Sequence, residues 1–300
     1  MSVLVVGSVA FDTIETPRGK VEKVLGGSAN YFSITTSYFT GVSLVGIVGE
    51  DFPVEHIRFL QSRNVCTDGL KVTQGNTFHW AGKYDKTYKD AETLSTALNV
   101  FEHFSPELPD HYKDKPYVFL ANIDPTLQAH VLEQIQKPKI VACDTMNFWI
   151  YGKREELLST LKLVDIFIIN ETEAKDLSGE INLVEAARKI RCMGPQILII
   201  KRGEYGAMMF TSESVFASPG YPLSNVVDPT GAGDSFAGGF MGYLAKTGNT
   251  FEEEALRKAV VYGNTMASFV VEGFSFDRLK DLNSQMIERR FQDFVALSKV

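Results

Sequence analysis

Short apolar runs alternate along this chain with longer stretches of helical period. Residues 3–7 (VLVVG), 42–49 (VSLVGIVG), 117–122 (YVFLAN), 139–144 (KIVACD), 166–170 (IFIIN) and 196–201 (QILIIK) are rich in Val and Ile. Being apolar on both faces, they predict buried parallel strands. Between several of them, residues 27–39, 53–63, 126–136, 154–163 and 182–192 carry helical spacing; in the last, Leu183, Ala186, Ala187 and Ile190 share one face. Strands alternating with helices predict an α/β fold, a doubly wound and largely parallel sheet between helices. Ligands of such sheets lie beyond the carboxyl ends of the strands, which singles out the strand-terminal polar residues Asp12, Asn122, Asp124, Asp144 and Asn170.

Two regions break the rhythm. Residues 13–25 and about 73–101 mix Thr, Lys and aromatics without helical period, and predict antiparallel strands and hairpins outside the main sheet. Placed near the substrate end, they suggest a small β-strand lid on a single domain of residues 1–300; ordinary surface hairpins are the alternative. No internal repeat or low-complexity tract interrupts the pattern. Residues 277–300 are amphipathic and charged, as expected of a docking helix.

Composition narrows the function classes. The chain of 300 residues is 44% apolar and 22% charged, ordinary for a globular protein with a substantial core. A net charge of −7 without a basic cluster argues against nucleic acid as a partner, though not against one bound nucleotide. Cys66, Cys143 and Cys192 are far apart and show no metal-ligand spacing, so reduced thiols in a cytoplasmic protein are expected. The start, MSVLVVGSVAFD, lacks the pattern of a signal peptide, and no apolar run is long enough to span a membrane. The five histidines are scattered, and the sequence assigns them no role.

The densest chemistry lies at 228–240, DPTGAGDSFAGGF. It fits neither a Rossmann loop, which needs Gly where Phe236 stands, nor a Walker A loop, which needs Lys where Gly239 stands. Phe236, Phe240, Tyr243 and Leu244 fall on one helix face, so a helix follows the turn. Gly238, Gly239 and Gly242 inside it each cost ~1 kcal/mol relative to Ala, tolerable where another element packs very close. Gly231, Ala232 and Gly233 then present backbone N–H groups at the positive end of the helix dipole, an anion hole. Asp234 in the same field is expected to stay ionised. A carboxylate beside an anion hole suits a general base that deprotonates an attacking hydroxyl, as in phosphoryl transfer to an alcohol. An N-cap aspartate on a Gly-rich packing helix is the alternative.

The run D-P-T-G-A-G-D-S-F-A-G-G-F-M resembles the C-terminal signature of the ribokinase/pfkB family of carbohydrate and nucleoside kinases. That resemblance implies a Rossmann-like α/β domain with a β lid, using ATP and Mg²⁺ to phosphorylate a substrate hydroxymethyl, with monovalent-cation activation left open. It implies Asp234 as the catalytic base, Gly231-Ala232-Gly233 as the anion hole, and Asp228 and Thr230 beside the phosphates. By the same resemblance Asp12, in GSVAFD, holds sugar hydroxyls. LGGSANYFS (25–33) is similar to the family's N-terminal signature, with Gly26 and Gly27 admitting the substrate and Asn30 bonding it. It is one residue shorter than the common form. Asn170 and Glu173, in NETE, match the family's Asn-x-x-Glu, which organises Mg²⁺ through water; the bare pattern is equally a helix capping box. Lys201, in IIKRGEYG, stands where Thr is common and is either a phosphate ligand or a solvated strand end; Gly203 lies in the nucleotide-side turn. Residues 262–276 would line the adenine pocket, with Asn264 and Gly273 as candidates.

The substrate stays open at this level between a free sugar and a ribonucleoside such as adenosine. Phe78, His79, Trp80, Tyr84 and Tyr88 of the lid, with Phe11 and Tyr31, either stack on a nucleobase or form the lid's own core or a dimer contact. The expected partner is therefore a small molecule, bound by a monomer or by a homodimer formed through the lid. Outside catalysis, a non-catalytic nucleotide or sugar sensor on the same scaffold is the rival; the intact Asp234 and Gly-Ala-Gly turn argue against it.

Overall fold

In the computed structural model, which describes residues 2–297 and 299, strand β1 (Ser2–Val6) sets the layering. Its pleat sends Val3 and Val5 into one core and Leu4 and Val6 into a second, on the opposite face of the sheet. Burial on both faces is what its continuous apolar run demands.

The remaining strands are β2 (Ala10–Thr16), β3 (Gly19–Gly26), β4 (Gly41–Gly49), β5 (Val65–Thr73), β6 (Phe78–Lys83), β7 (Glu92–Ala97), β8 (Tyr117–Leu120), β9 (Ile140–Cys143), β10 (Ile166–Asn170), β11 (Ile197–Lys201), β12 (Ala207–Phe210) and β13 (Val215–Ser218). The main sheet has the order β13-β12-β11-β10-β9-β8-β1-β4-β5. It is parallel from β11 to β5, with β12 and β13 added antiparallel at one edge. From β1 the chain first builds outward through β4 and β5, then returns to β8 on the other side. The switch point thus lies between β1 and β8, where such a sheet opens a crevice.

Helices α1 (Ser28–Thr36) and α2 (Val54–Ser62) cover one face. The other face carries α3 (Pro125–Gln134), α4 (Asn147–Gly152), α5 (Arg154–Leu161), α6 (Glu171–Ser178) and α7 (Leu183–Arg191). The chain then returns to the first face with α8 (Ala232–Thr247), α9 (Glu253–Val270), α10 (Asp277–Lys280) and α11 (Ser284–Leu297). The expected C-terminal helix is α11, docked through Ile287, Phe291 and Phe294; of the stretch 277–300, residues 298 and 300 lie outside the described residues, as does residue 1. Helix α8 is wedged between α1 and α9. A methyl on Gly238 would come within 1.9 Å of Thr35 Oγ1, and one on Gly239 within 2.6 Å of the Tyr262 carbonyl. Close packing therefore accounts for glycines inside this helix. Among the described residues no helix is long and apolar enough to cross a membrane.

Two features differ from the sequence expectation. Strand β5 (VCTDGLKVT) was invisible because it is an edge strand, half polar and without an apolar run. The second sheet, β3-β2-β6-β7, occupies the two irregular regions, but its inner pair β2–β6 is parallel, not antiparallel. The reason is topological: β2 follows the carboxyl end of β1, and β6 that of β5, so both enter the second sheet from the same side.

Candidate active site

Local chemistry shapes the turn before α8. The Asp228 carboxylate accepts the Thr230 N–H at 2.9 Å, an Asx turn across Pro229. Gly231 then caps the helix in the left-handed conformation at φ 75°. The three expected anion-hole donors are not equivalent. The Ala232 N–H donates to the Pro229 carbonyl at 3.1 Å, which withdraws it from the hole as the turn closes. The Gly231 and Gly233 N–H groups have no acceptor among the described residues.

Lys201 lies at the carboxyl end of β11. Its ammonium lies over Gly233, so close that a methyl there would stand 2.6 Å from Nζ. A lysine charge is thus stacked on the positive end of a helix dipole, an arrangement that needs an anion to settle it. Carboxyls face the same place. Burial pushes Asp234 above the ordinary carboxylate range, although Lys201 pulls the other way. The expectation that Asp234 stays ionised in the helix field thus has burial working against it and Lys201 working for it. Asp144 is raised by burial and then by Asp234, against Lys201, and its Oδ1 is buried without a hydrogen-bond partner. Asp144 directly follows β9 and stood among the strand-terminal candidates, but no motif marks it as part of this cluster.

Asn170 and Glu173 form the reciprocal capping box of α6: Asn170 Oδ1 accepts the Glu173 N–H, and Glu173 Oε2 accepts the Asn170 N–H, both at 2.8 Å. The box aims the buried Glu173 toward Lys201 and Asp234, which both appear in its electrostatic environment. Asn170 spends its carbonyl oxygen on the cap. The carboxylates of Asp144, Glu173 and Asp234 are hard oxygen donors of the kind Mg²⁺ takes, but they are not gathered into a direct three-ligand cage. They fit an ion that keeps waters between itself and the protein.

The substrate end is organised around Asp12. Its carboxylate accepts the Gly27 N–H and lies against Gly26, where a methyl would meet Asp12 Oδ2 at 2.0 Å. Gly26 therefore makes room for Asp12 itself, while Gly27, at φ 91°, lets the backbone of Ser8 and Ala10 approach. Burial, then the nearby Asp228 charge, push Asp12 up to about 7. Asp228 itself is pushed to about 6 by burial. Asp228, which shapes the turn before α8 through Thr230, is also close enough to Asp12, Tyr31 and Tyr84 for its charge to raise all three. Asn30 donates to the Gly26 carbonyl at 2.6 Å, which leaves its Oδ1 buried and unpaired. Buried polar atoms are normally paired, so this oxygen is an acceptor site for a water or a polar ligand.

Other candidates are placed elsewhere. Both hydrogens of the Asn264 amide hold the end of β13, through Ser218 Oγ and the Pro219 carbonyl. Gly203 opens a 3₁₀ turn with open space around it. Gly273 packs against the Arg278 side chain. Among the aromatics, Phe78 stacks on Phe101, Phe11 packs on Phe52, and Trp80 lies across Gly82 with its indole N–H on Thr93. His79 bonds Thr13. Phe11 and Phe78 thus pack against rings outside the second sheet, while Phe78, His79 and Trp80 stay half-buried. The Tyr84 hydroxyl reaches Thr230 Oγ1 at 3.3 Å, joining the second sheet to the turn before α8.

A cytidine kinase of Thermococcus kodakarensis is 29% identical over 261 residues, 84% of this chain and 91% of the relative. A nucleoside kinase of Methanothermobacter thermautotrophicus is 25% identical over 302 residues, 90% of this chain and 89% of that protein. The solved nucleoside kinase of Methanocaldococcus jannaschii, an archaeal member of the ribokinase family, shares the fold with a TM-score of 0.77 at 20% identity, covering 97% of this chain and 98% of that one. The family described as pfkB family carbohydrate kinase matches residues 1–277, and the chain belongs to that family.

Proposed function

We propose that the chain transfers the γ-phosphoryl group of ATP to the hydroxymethyl oxygen of a ribonucleoside. One observation carries the reaction: the Lys201 ammonium lies over Gly233 at the N-terminus of α8, beside two unpaired N–H groups and the carboxyl of Asp234. In this reading Asp234 takes the hydroxymethyl proton as that oxygen bonds to phosphorus and the bond to the ADP oxygen breaks. The Gly231 and Gly233 N–H groups and Lys201 meet the charge on the equatorial oxygens. A carboxyl raised by burial is a better proton acceptor at neutral pH than an exposed one. Bound Mg²⁺ would supply further neutralisation of the phosphates, with Glu173, and Asp144 behind it, holding its waters.

Asp12 and the free Oδ1 of Asn30 suit the hydroxyls of a ribose, since each can accept a hydrogen bond. The long matches to a cytidine kinase and a nucleoside kinase favour a nucleoside over a free sugar. The second sheet acts as the lid in this reading, with Tyr84–Thr230 as its latch. ADP release should be screened with ATP-Mg²⁺ across ribonucleosides, pentoses, hexoses and sugar acids. Turnover with ribonucleosides, cytidine among them, is expected; turnover with free sugars alone would overturn the substrate class, and none with any alcohol would overturn the reaction.

A further inference from the structure

A second cluster of ligand-type side chains lies far from Asp234. Cys66 and Asp68 on β5 meet His111, which sits in the 3₁₀ turn Asp110–Tyr112; their donor atoms all lie within 4.8 Å of one another. His111 Nε2 is already 3.1 Å from an Asp68 oxygen. Ligands at zinc-type distances of ~2.0–2.3 Å stand roughly 3.3–3.7 Å apart around a tetrahedron, so small side-chain rotations close the set.

The local fold holds this arrangement. Cys66 pairs with Ser43 and Gly69 with Val45, so β5 carries an extra residue between them; a bulge of this kind re-aims side chains. The buried Tyr112 fastens the turn to the same place. Its hydroxyl donates to the Cys66 carbonyl at 2.9 Å, and its ring lies where a methyl on Gly69 would come within 2.9 Å. The His111 ring rests edge-on against Tyr112 at 4.7 Å. Backbone neighbours of all three donors are thus tied together independently of any ligand. One thiol, one imidazole and one carboxylate form a set that selects zinc-class cations over Mg²⁺.

We propose that Cys66, Asp68 and His111 bind one zinc-class divalent cation, the Cys66 thiol releasing its proton to solvent and water completing the tetrahedron. The cation clamps the 110–112 turn onto the edge strand. Cys66 is ~23 Å of extended strand from the carboxyl end of β5, on the side of the sheet where Asp234 lies, so the clamp acts on stability and leaves the chemistry alone.

The test is titration of the reduced protein with Co²⁺ in excess Mg²⁺, which occupies the hard carboxylate sites. One equivalent of thiolate-to-cobalt charge-transfer absorption is expected, displaced stoichiometrically by Zn²⁺. Cys66→Ser should abolish it, His111→Ala should weaken Co²⁺ binding by about 10²-fold or more, and Cys192→Ser should leave both unchanged. Zn²⁺ should raise the melting temperature of the wild type and not of His111→Ala. Absence of the absorption, its survival in Cys66→Ser, its loss in Cys192→Ser, or indifference to His111→Ala would each overturn the site.

Discussion

The phosphate end of the candidate site comes from one run of chain, 228–234, with Lys201 laid over it, whereas the substrate end gathers Asp12, Gly26, Gly27, Asn30 and Tyr84 from β2, β3, α1 and the segment after β6. Backbone N–H groups, a helix dipole and the carboxyls of Asp228 and Asp234 make up the first. Side chains from separate elements make up the second, and its carboxyl is held in place by other residues. A backbone-built anion site is fixed as soon as its helix folds. A side-chain-built pocket can be retuned by substitution while the reaction persists. The two ends should therefore answer mutation differently.

The largest effect belongs to the phosphate end. Asp234→Asn should lower kcat by at least ~10²-fold while leaving both KM values within a few-fold, the pattern of a group used only in the transition state. Lys201→Met comes next, lowering kcat/KM for ATP by roughly 10- to 10²-fold, the range for losing a charge-assisted hydrogen bond. Its signature is that KM for the nucleoside stays put. At the substrate end, Gly26→Ala drives a methyl into Asp12 and should raise KM for the nucleoside about tenfold or more, with ATP affinity retained. Tyr84→Phe removes one neutral bond to Thr230 and should cost about 2- to 10-fold in the same KM. Steady-state kinetics with each substrate varied in turn separates the four. If Gly26→Ala or Tyr84→Phe damaged ATP binding instead, the division into two ends would fail.

The smallest effect is on stability. Asp12 is held at about 7 and Asp228 at about 6, both above the ordinary carboxylate value near ~3.9 expected of the unfolded chain. The folded, ligand-free protein then binds more protons than the unfolded chain between those limits. The sign follows: stability contributed by these groups is complete below about pH 4 and is lost as pH rises through about 6 and 7. Denaturation midpoints measured from pH 4 to 8 should fall across that window, and Asp12→Asn should flatten its upper part. A midpoint that rises from pH 4 to 7 only because of Asp12 would contradict its placement.

Much of the phosphate end was legible in the sequence because its parts are contiguous: Asp228, the Gly-Ala-Gly turn and Asp234 can be read along one line. Strands β1, β4, β8, β9, β10 and β11 were legible for a similar reason, since burial on both faces leaves an unbroken apolar run. What escaped depends on juxtaposition. Asp144 joins the cluster only because β9 lies near the switch point. The parallel β2–β6 pair follows from the directions of β1 and β5, and β5 itself carries too little apolar sequence to announce a strand. The Ala232 N–H is lost to Pro229 by turn geometry that spacing does not reveal. Composition alone could not say which faces the second-sheet aromatics take. Cys66 and His111 sit on separate elements, so no cysteine spacing could pair them.

The most direct measurement is the position of the transferred phosphorus. After turnover of ATP with a ribonucleoside, ³¹P–¹H correlation spectra of the product should show phosphorus coupled to the two hydroxymethyl protons, and the 5′-deoxy analogue should yield no ADP above background. Phosphorus coupled to a ring-hydroxyl carbon's proton, or equal ADP release with the 5′-deoxy analogue, would contradict the assignment of Asp234 as the base for a hydroxymethyl acceptor.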